Sequence, residues 1–483
     1  MVTQQDITKI VSRLVIEANN ILPGDVQGAL LAGMMEESDP TARTILSILQ
    51  ENSVIAAQSG LPICQDTGID VVFLEIGQEL SIDGDIKAAV NAGISKGTRE
   101  GYLRSSVCDP LTRKNSGDNT PAQVHLDLVP GNSVKITILP KGCGSENMSA
   151  LFMLPPSAGT QGIVDAVVDQ VVKAGPNPCP PGIIGVGIGG TMEMAALLSK
   201  KALLRPVGQA SLREDVAFLE QEMLARINHT GIGPQGLGGS TTTFAVHVET
   251  EACHIASLPV AVNLQCHAAR LATAIFKEGR WQVLSREGVS GPEIGRSSLA
   301  WEESALRVEL PITEEEAAKL TAGQRVLLSG PLYTGRDQTH KRLIELLDAG
   351  RELPVDLTGQ LLYYVGPSPA PPGRVVGSAG PTTSYRMDAY TPRLLEKGLA
   401  ATMGKGRRSL EVRQAMARHG AIYFATIGGA GAYLSEKIVS CNLVAFEDLG
   451  PEAMFRMEVR NFPAVVINDA KGNDWYEEVR KRS

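Results

Sequence analysis

Aromatic residues make up only 4% of the 483-residue chain, and no apolar run approaches the roughly 18 residues that a membrane-spanning helix needs. No membrane association is expected. Positive charge is not in excess: 45 Lys and Arg stand against 53 Asp and Glu, a formal net charge of −8. That balance argues against general nucleic-acid binding and favours solubility. The seven cysteines (Cys64, Cys108, Cys143, Cys179, Cys253, Cys266 and Cys441) are odd in number and widely scattered, so a disulfide framework is not expected. The first residues, Met1-Val2-Thr3-Gln4-Gln5-Asp6, lack a basic stretch followed by an apolar one. No signal peptide is therefore read, and the cytoplasm is the expected compartment.

Glycine, in contrast, is abundant at 50 residues, a composition suited to loops that bring backbone amides close to a small ligand. The chain is too long for one core, and two to three domains are expected. Helices and short apolar strands interleave, which predicts a mixed α/β fold. Helical patterns cover residues 5–20, 24–37, 41–60, 85–102, 160–174, 191–204, 211–227 and 337–350. Strand patterns cover 71–76, 124–129, 133–139, 183–188, 242–248, 306–310, 325–329, 361–365 and 422–426. An apolar helix is expected after Asn147, and Thr191 is a candidate helix cap. Periodicity fades before residue 304, so the expected division is an N-terminal domain over 1–280, a linker over 281–304 and a C-terminal domain over 305–483.

Chemistry concentrates in loops. Leu61-Pro62-Ile63-Cys64-Gln65-Asp66-Thr67-Gly68 is too polar for a buried strand; it offers a metal ligand in Cys64 and substrate-facing groups in Gln65 and Asp66. Cys179 lies among four prolines in Gly175-Pro176-Asn177-Pro178-Cys179-Pro180-Pro181-Gly182, a stiff loop ordered before binding. Cys266, between Gln265 and His267, is likewise flanked by polar groups and not by a continuous apolar face. Three thiolates leave one iron of a four-iron cluster open to act as a Lewis acid. Zinc is the competing metal, although its cysteine ligands usually come in close pairs. A second group is cationic: Arg104, Arg336, Arg386 and Lys405 lie in loops rich in glycine, serine or threonine and suit a small dianion. One surface arginine is ordinarily a solvated charge; four in such loops are a pattern. The run Gly185-Val186-Gly187-Ile188-Gly189-Gly190 matches a dinucleotide fingerprint in its letters, but no apolar strand ending in an acid follows about 20 residues on.

Taken together, these loops give the chain a resemblance to the iron–sulfur-dependent class I fumarases, with both halves fused. It is also similar to the iron–sulfur tartrate dehydratases. The likeness covers nearly the whole chain. It is carried in order by Cys64-Gln65-Asp66-Thr67-Gly68, Gly101-Tyr102-Leu103-Arg104, Lys141-Gly142-Cys143-Gly144-Ser145-Glu146-Asn147, Cys179-Pro180-Pro181-Gly182, Gly236-Leu237-Gly238-Gly239, His254, Gln265-Cys266, Gly335-Arg336-Asp337, Gly380-Pro381-Thr382-Thr383, Arg386-Met387-Asp388 and Gly404-Lys405-Gly406.

The resemblance implies an α/β cluster-binding domain followed by a swivelling β/β/α-like domain. It implies reversible hydration of fumarate to (S)-malate with a [4Fe-4S] cluster on Cys64, Cys179 and Cys266, in a homodimer. Gln65, Asp66, Arg104, Gly144, Arg336, Arg386 and Lys405 would surround the substrate. Thr382 takes the position of the catalytic base with Asp66 as its helper; His254 falls near the cluster, and Asp337 and His340 support Arg336. Cys143 stands where a smaller residue is expected, and Tyr385 is bulky enough to affect which diacid fits. L-tartrate dehydratase and mesaconate hydratase are the alternative activities. A non-catalytic iron–sulfur sensor is the rival from another class, and it has no need of four converging cations.

Overall fold

The computed structural model describes residues 2–284 and 298–482. It is a mixed α/β fold built from an N-terminal and a C-terminal region. The first helix, Gln4–Asn20, starts at a capping box in which Thr3 and Asp6 satisfy each other's backbone amides. It buries Ile7, Val11, Leu14 and Val15 against the helix Ile86–Glu100, which Asp85 caps.

Two sheets organise the N-terminal region. The first has five strands in the order Arg280–Leu284, Ala272–Lys277, Val134–Lys141, Ile69–Gly77 and Gln123–Val129. The strand Ile69–Gly77, fourth in that order, is antiparallel to Val134–Lys141, with Ile69 opposite Lys141, and parallel to Gln123–Val129. The second sheet has four strands in the order Ala150–Leu154, Leu258–Gln265, Gly182–Gly189 and Thr243–Glu251. The glycines of the suspected dinucleotide motif serve packing here: a side chain at Gly185 would strike the carbonyl of Ser199, and one at Gly187 that of Ala195. They let the helix Met192–Ala202 lie directly on the strand.

The C-terminal region holds seven strands, in the order Leu306–Glu309, Arg325–Thr334, Leu361–Tyr363, Ala401–Gly404, Ile422–Ala425, Met454–Asn468 and Ile438–Ala445. A further pairing of Arg325–Thr334 with Met454–Asn468 closes five of them on themselves. Tyr363, Tyr423, Phe424 and Phe462 are fully buried in the resulting core. Four strands of the closed set run parallel. Their carboxyl ends lead in turn to Arg336, Gly366, Lys405 and Gly428.

Several expectations need correction. Residues after Asn147 form the edge strand Ala150–Leu154 and not a helix; five residues are too few for one, and their exposure alternates as on a strand. Thr191 precedes the helix Met192–Ala202, but its hydroxyl donates to Glu193 instead of capping the backbone. The expected linker begins inside the strand Arg280–Leu284 and ends in the helix Ser298–Ser304, where Trp301 packs into the C-terminal core and donates to the carbonyl of Val326. Residues 285–297 of it lie outside the described residues. Among the described residues, no helix is long and apolar enough to cross a membrane.

One buried acid sits in the strand Ile69–Gly77. Asp70 is 1% exposed, accepts from Asn119, and lies opposite Pro140, which has no amide proton to offer. Burial pushes its carboxyl up to about 7, against the opposing influence of Asn119 and Arg270. The folded chain therefore favours the protonated acid, and this contribution to stability is lost as pH rises from about 4 through about 7. Asp70→Asn should flatten that slope and stabilise the chain above neutral pH by up to about 4 kcal/mol. Thermal unfolding of both proteins at several pH values checks it; an unchanged slope would mean that Asp70 is ionised in the fold.

Candidate active site between the two regions

Three cysteine loops from the N-terminal region close on one glycine run of the C-terminal region, Gly428-Gly429-Ala430-Gly431. A side chain at Gly428 would collide with Cys179 Sγ, one at Gly429 with His267 next to Cys266, and one at Gly431 with the backbone of Cys64 and Gln65. Hydrogen bonds fix this fit. Asn52 donates to the carbonyls of Ile63 (3.1 Å) and Gly429 (3.2 Å) and accepts from the amide of Tyr433 at 2.9 Å. Gln235 donates to the carbonyl of Pro180 at 3.2 Å and accepts from the amide of Gly428 at 2.9 Å. His267 Nε2 lies 2.8 Å from the carbonyl of Gly428.

Cys64 and Cys179 are buried and Cys266 is half-buried; none is in a disulfide. Burial pushes the Cys179 thiol up to about 12, although Lys405 Nζ donates to its sulfur at 2.7 Å. Burial also raises Cys64. The three thiols are near enough to influence one another, which adds to the upward push on Cys64 and Cys179. Among the described residues, no three His, Cys, Asp or Glu side chains meet at a point where a single metal ion would sit.

Beside the thiols lies a ring of cations. Arg104 is 6% exposed; it donates to Asp66 Oδ1 at 2.9 Å and reaches across to the carbonyl of Gly366 at 2.8 Å. Asp66 Oδ2 accepts from the amide of Cys143 at 3.0 Å. Burial alone would raise the Asp66 carboxyl, but Arg104, Arg270, Arg336 and Lys405 hold it at about 2. Arg386 pairs with Asp337 at 3.2 Å, and Arg336 lies 3.5 Å from Glu452. His340 Nδ1 contacts the carbonyl of Arg336 at 2.7 Å, and burial pushes its imidazole down to about 4. Gln65 donates to the carbonyl of Pro381 at 3.2 Å. Thr382 is 6% exposed; its amide donates to Tyr364 and its carbonyl accepts from the amide of Lys405 at 3.2 Å. A side chain at Gly144 would meet Lys405 Nζ.

The structure thus brings together Cys64, Gln65, Asp66, Arg104, Gly144, Cys179, Cys266, Thr382 and Lys405, with Arg336, Asp337, His340 and Arg386 around them. His254 stands apart. It is exposed in the connection between Thr243–Glu251 and Leu258–Gln265, at the far end of a strand that spans roughly 26 Å before Cys266. The histidine beside the thiols in this chain is His267. Tyr385 is 37% exposed, at the margin. Sequence reasoning missed Asn52, Gln235, Arg270 and Glu452; Arg270 is 2% exposed and ties the carbonyl of Asp66 (2.6 Å) to Asn19.

Comparison with known proteins supplies a second line. Residues 8–275 match the family "Fumarate hydratase (Fumerase)" and residues 285–479 match "Fumarase C-terminus". The chain is 32% identical to a putative fumarate hydratase class I of Geobacillus stearothermophilus over 98% of its length and 96% of that protein. It is 34% identical to the anaerobic fumarate hydratase class I of Escherichia coli K12, over 89% of the chain and 81% of that protein. A putative L(+)-tartrate dehydratase subunit alpha of Methanocaldococcus jannaschii is 42% identical over 56% of the chain and 98% of its own length.

The glycine run can be tested without any ligand. Gly428→Ala would press a methyl on Cys179 Sγ, Lys405 and Gln235. It should destabilise the chain by about 1–3 kcal/mol and speed alkylation of Cys179. Thermal unfolding and peptide mass mapping read both effects. If neither changes, the cysteine loop yields and the run is not a tight seat.

Proposed function

Because this chain belongs to the class I fumarate hydratase family of hydro-lyases, we propose that it hydrates fumarate reversibly to (S)-malate with a [4Fe-4S] cluster held by Cys64, Cys179 and Cys266. The observation that carries this reading is the convergence of three thiol loops on Gly428–Gly431, next to Arg104, Arg336, Arg386 and Lys405. The donor set fits such a cluster. Three buried or half-buried thiols come from three separate loops, and a cube of iron and sulfide holds its thiolates further apart than one ion does. When bound, a cluster with three protein ligands supplies a Lewis-acidic position for the oxygens of a diacid.

The remaining work falls to the side chains. Arg336 and Arg386 are forks for carboxylates, and Lys405 adds a point charge. Their charge stabilises the carboxylate next to the carbon that loses or gains a proton. Gln65 and the amides near Gly144 orient the bound diacid. Thr382 Oγ1 takes the proton from that carbon in the dehydration direction as its own hydroxyl proton passes to Asp66, and both transfers reverse in hydration; Lys405 supplies the positive field in which they occur. Burial of Gln65, Arg104 and Thr382 keeps bulk water from the reacting carbons. A homodimer belongs to the same reading.

The likeness of 56% of the chain to a tartrate dehydratase subunit supports L-tartrate as the competing substrate. Anaerobic turnover of fumarate, mesaconate and L-tartrate side by side decides among them, and failure with all three overturns the hydro-lyase assignment. Thr382→Ala should lower kcat by about 10²–10⁴-fold while the iron–sulfur absorbance stays intact. Loss of that absorbance would assign Thr382 to structure instead. Serine at Cys64, Cys179 or Cys266 should remove both colour and turnover.

A further inference from the structure

Lys141 ends the strand Val134–Lys141, and its side chain is 2% exposed. A lysine ammonium has three protons to donate. All three have acceptors here: Ser145 Oγ at 3.0 Å, Gln265 Oε1 at 2.8 Å and the carbonyl of Leu264. None is left for a ligand, which sets Lys141 apart from Lys405. Its acceptors belong to two segments. Ser145 lies in the loop Gly142–Asn147, whose Cys143 amide holds Asp66 and whose Gly144 faces Lys405. Leu264 and Gln265 are the last residues before Cys266. Glu146 strengthens the same seam: it lies 3.6 Å from Lys141, accepts from Asn263 at 3.1 Å and pairs with Lys200. The hydroxyl of Ser149 accepts from the amide of Leu264 at 3.2 Å.

We propose that Lys141 is a positioning residue that joins the substrate-facing loop Gly142–Asn147 to the Cys266 end of the strand Leu258–Gln265, so that the third thiol and the amides facing the substrate keep one fixed relation. The two segments are more than a hundred residues apart in sequence, and their common partner is a buried cation that neither segment can solvate without the other. This inference rests on the site reading above, but its tests separate the two.

The test uses the full chain, purified anaerobically, as wild type and as Lys141→Met, Lys141→Arg and Ser145→Ala. Ser145→Ala cuts only the arm to the substrate loop. It should raise KM for fumarate several-fold with little change in the rate of iron release to a chelator. Lys141→Met cuts both arms and should raise KM by about tenfold or more and also speed iron release. Lys141→Arg keeps the charge and donors and should recover part of both losses. In iron-free chain, alkylation of Cys266 should quicken in Lys141→Met while that of Cys64 does not. The proposal is overturned if Lys141→Met changes neither KM nor Cys266 reactivity, if all three thiols quicken alike, or if Ser145→Ala releases iron as fast as Lys141→Met. Should Lys141→Met fail to fold, Ser145→Ala and Lys141→Arg carry the decision through KM and Cys266 alkylation. A wild-type chain that holds no iron when purified anaerobically refutes the cluster reading alone, because Cys266 alkylation still judges the joint.

Discussion

The arrangement depends on how closely backbone approaches backbone at Gly428–Gly431. Cβ atoms there would strike Cys179, His267 and the start of the Cys64 loop. The absence of side chains lets three loops from one region rest on a single turn of the other. Asn52 and Gln235 then convert contact into register, because each bonds both a cysteine loop and the glycine run. Interiors packed at crystal-like density transmit small volume changes, so a methyl at any one of these glycines is felt by the loop that it faces.

A consequence is that the cations of the site are held before any diacid arrives. Arg104 is paired with Asp66, Arg386 with Asp337, and Arg336 lies near Glu452. A buried guanidinium without a partner is costly, and these carboxylates offset that cost. A guanidinium carries five N–H donors, more than one carboxylate takes up, so under the proposed function the same cation can also meet a carboxylate of the substrate. Preorganised charge of this kind acts on a developing anion without reorganising during the reaction.

The loops that meet were legible in sequence because they interrupt pattern. Proline and glycine around Cys64 and Cys179, and polar runs around Arg336 and Arg386, break the regular apolar patterns, although Arg336 precedes the helix Asp337–Asp348 and Arg386 lies in the short helical turn Ser384–Met387. The supports were not legible. Asn52 sits in an ordinary helical stretch and Gln235 just before the motif Gly236–Gly239, and their partners are backbone carbonyls and amides up to 381 residues away, for which no local pattern exists. Arg270 reads as one more surface cation until the fold buries it. The helix expected after Asn147 failed because a short apolar run has no periodicity to separate an edge strand from a helix. The expectation for His254 came from likeness, and likeness carries no distance; a strand length now separates it from Cys266.

Why the site lies between the regions follows from the topology of the closed sheet. Its four parallel strands end on one side, and from that side the chain delivers Arg336, Gly366, Lys405 and Gly428 in succession. Ligands of parallel sheets gather outside the carboxyl ends of the strands, where loops converge and backbone amides remain free. The C-terminal region therefore presents cations and a flat glycine surface at one rim but has no thiols near it; its single cysteine, Cys441, lies on the strand Ile438–Ala445. The N-terminal region has the thiols and Asp66 but draws Lys405 and Gly428 from its neighbour. Neither region alone holds both the sulfur atoms and the full set of positive charge, so the proposed chemistry requires them fused, or otherwise held, face to face.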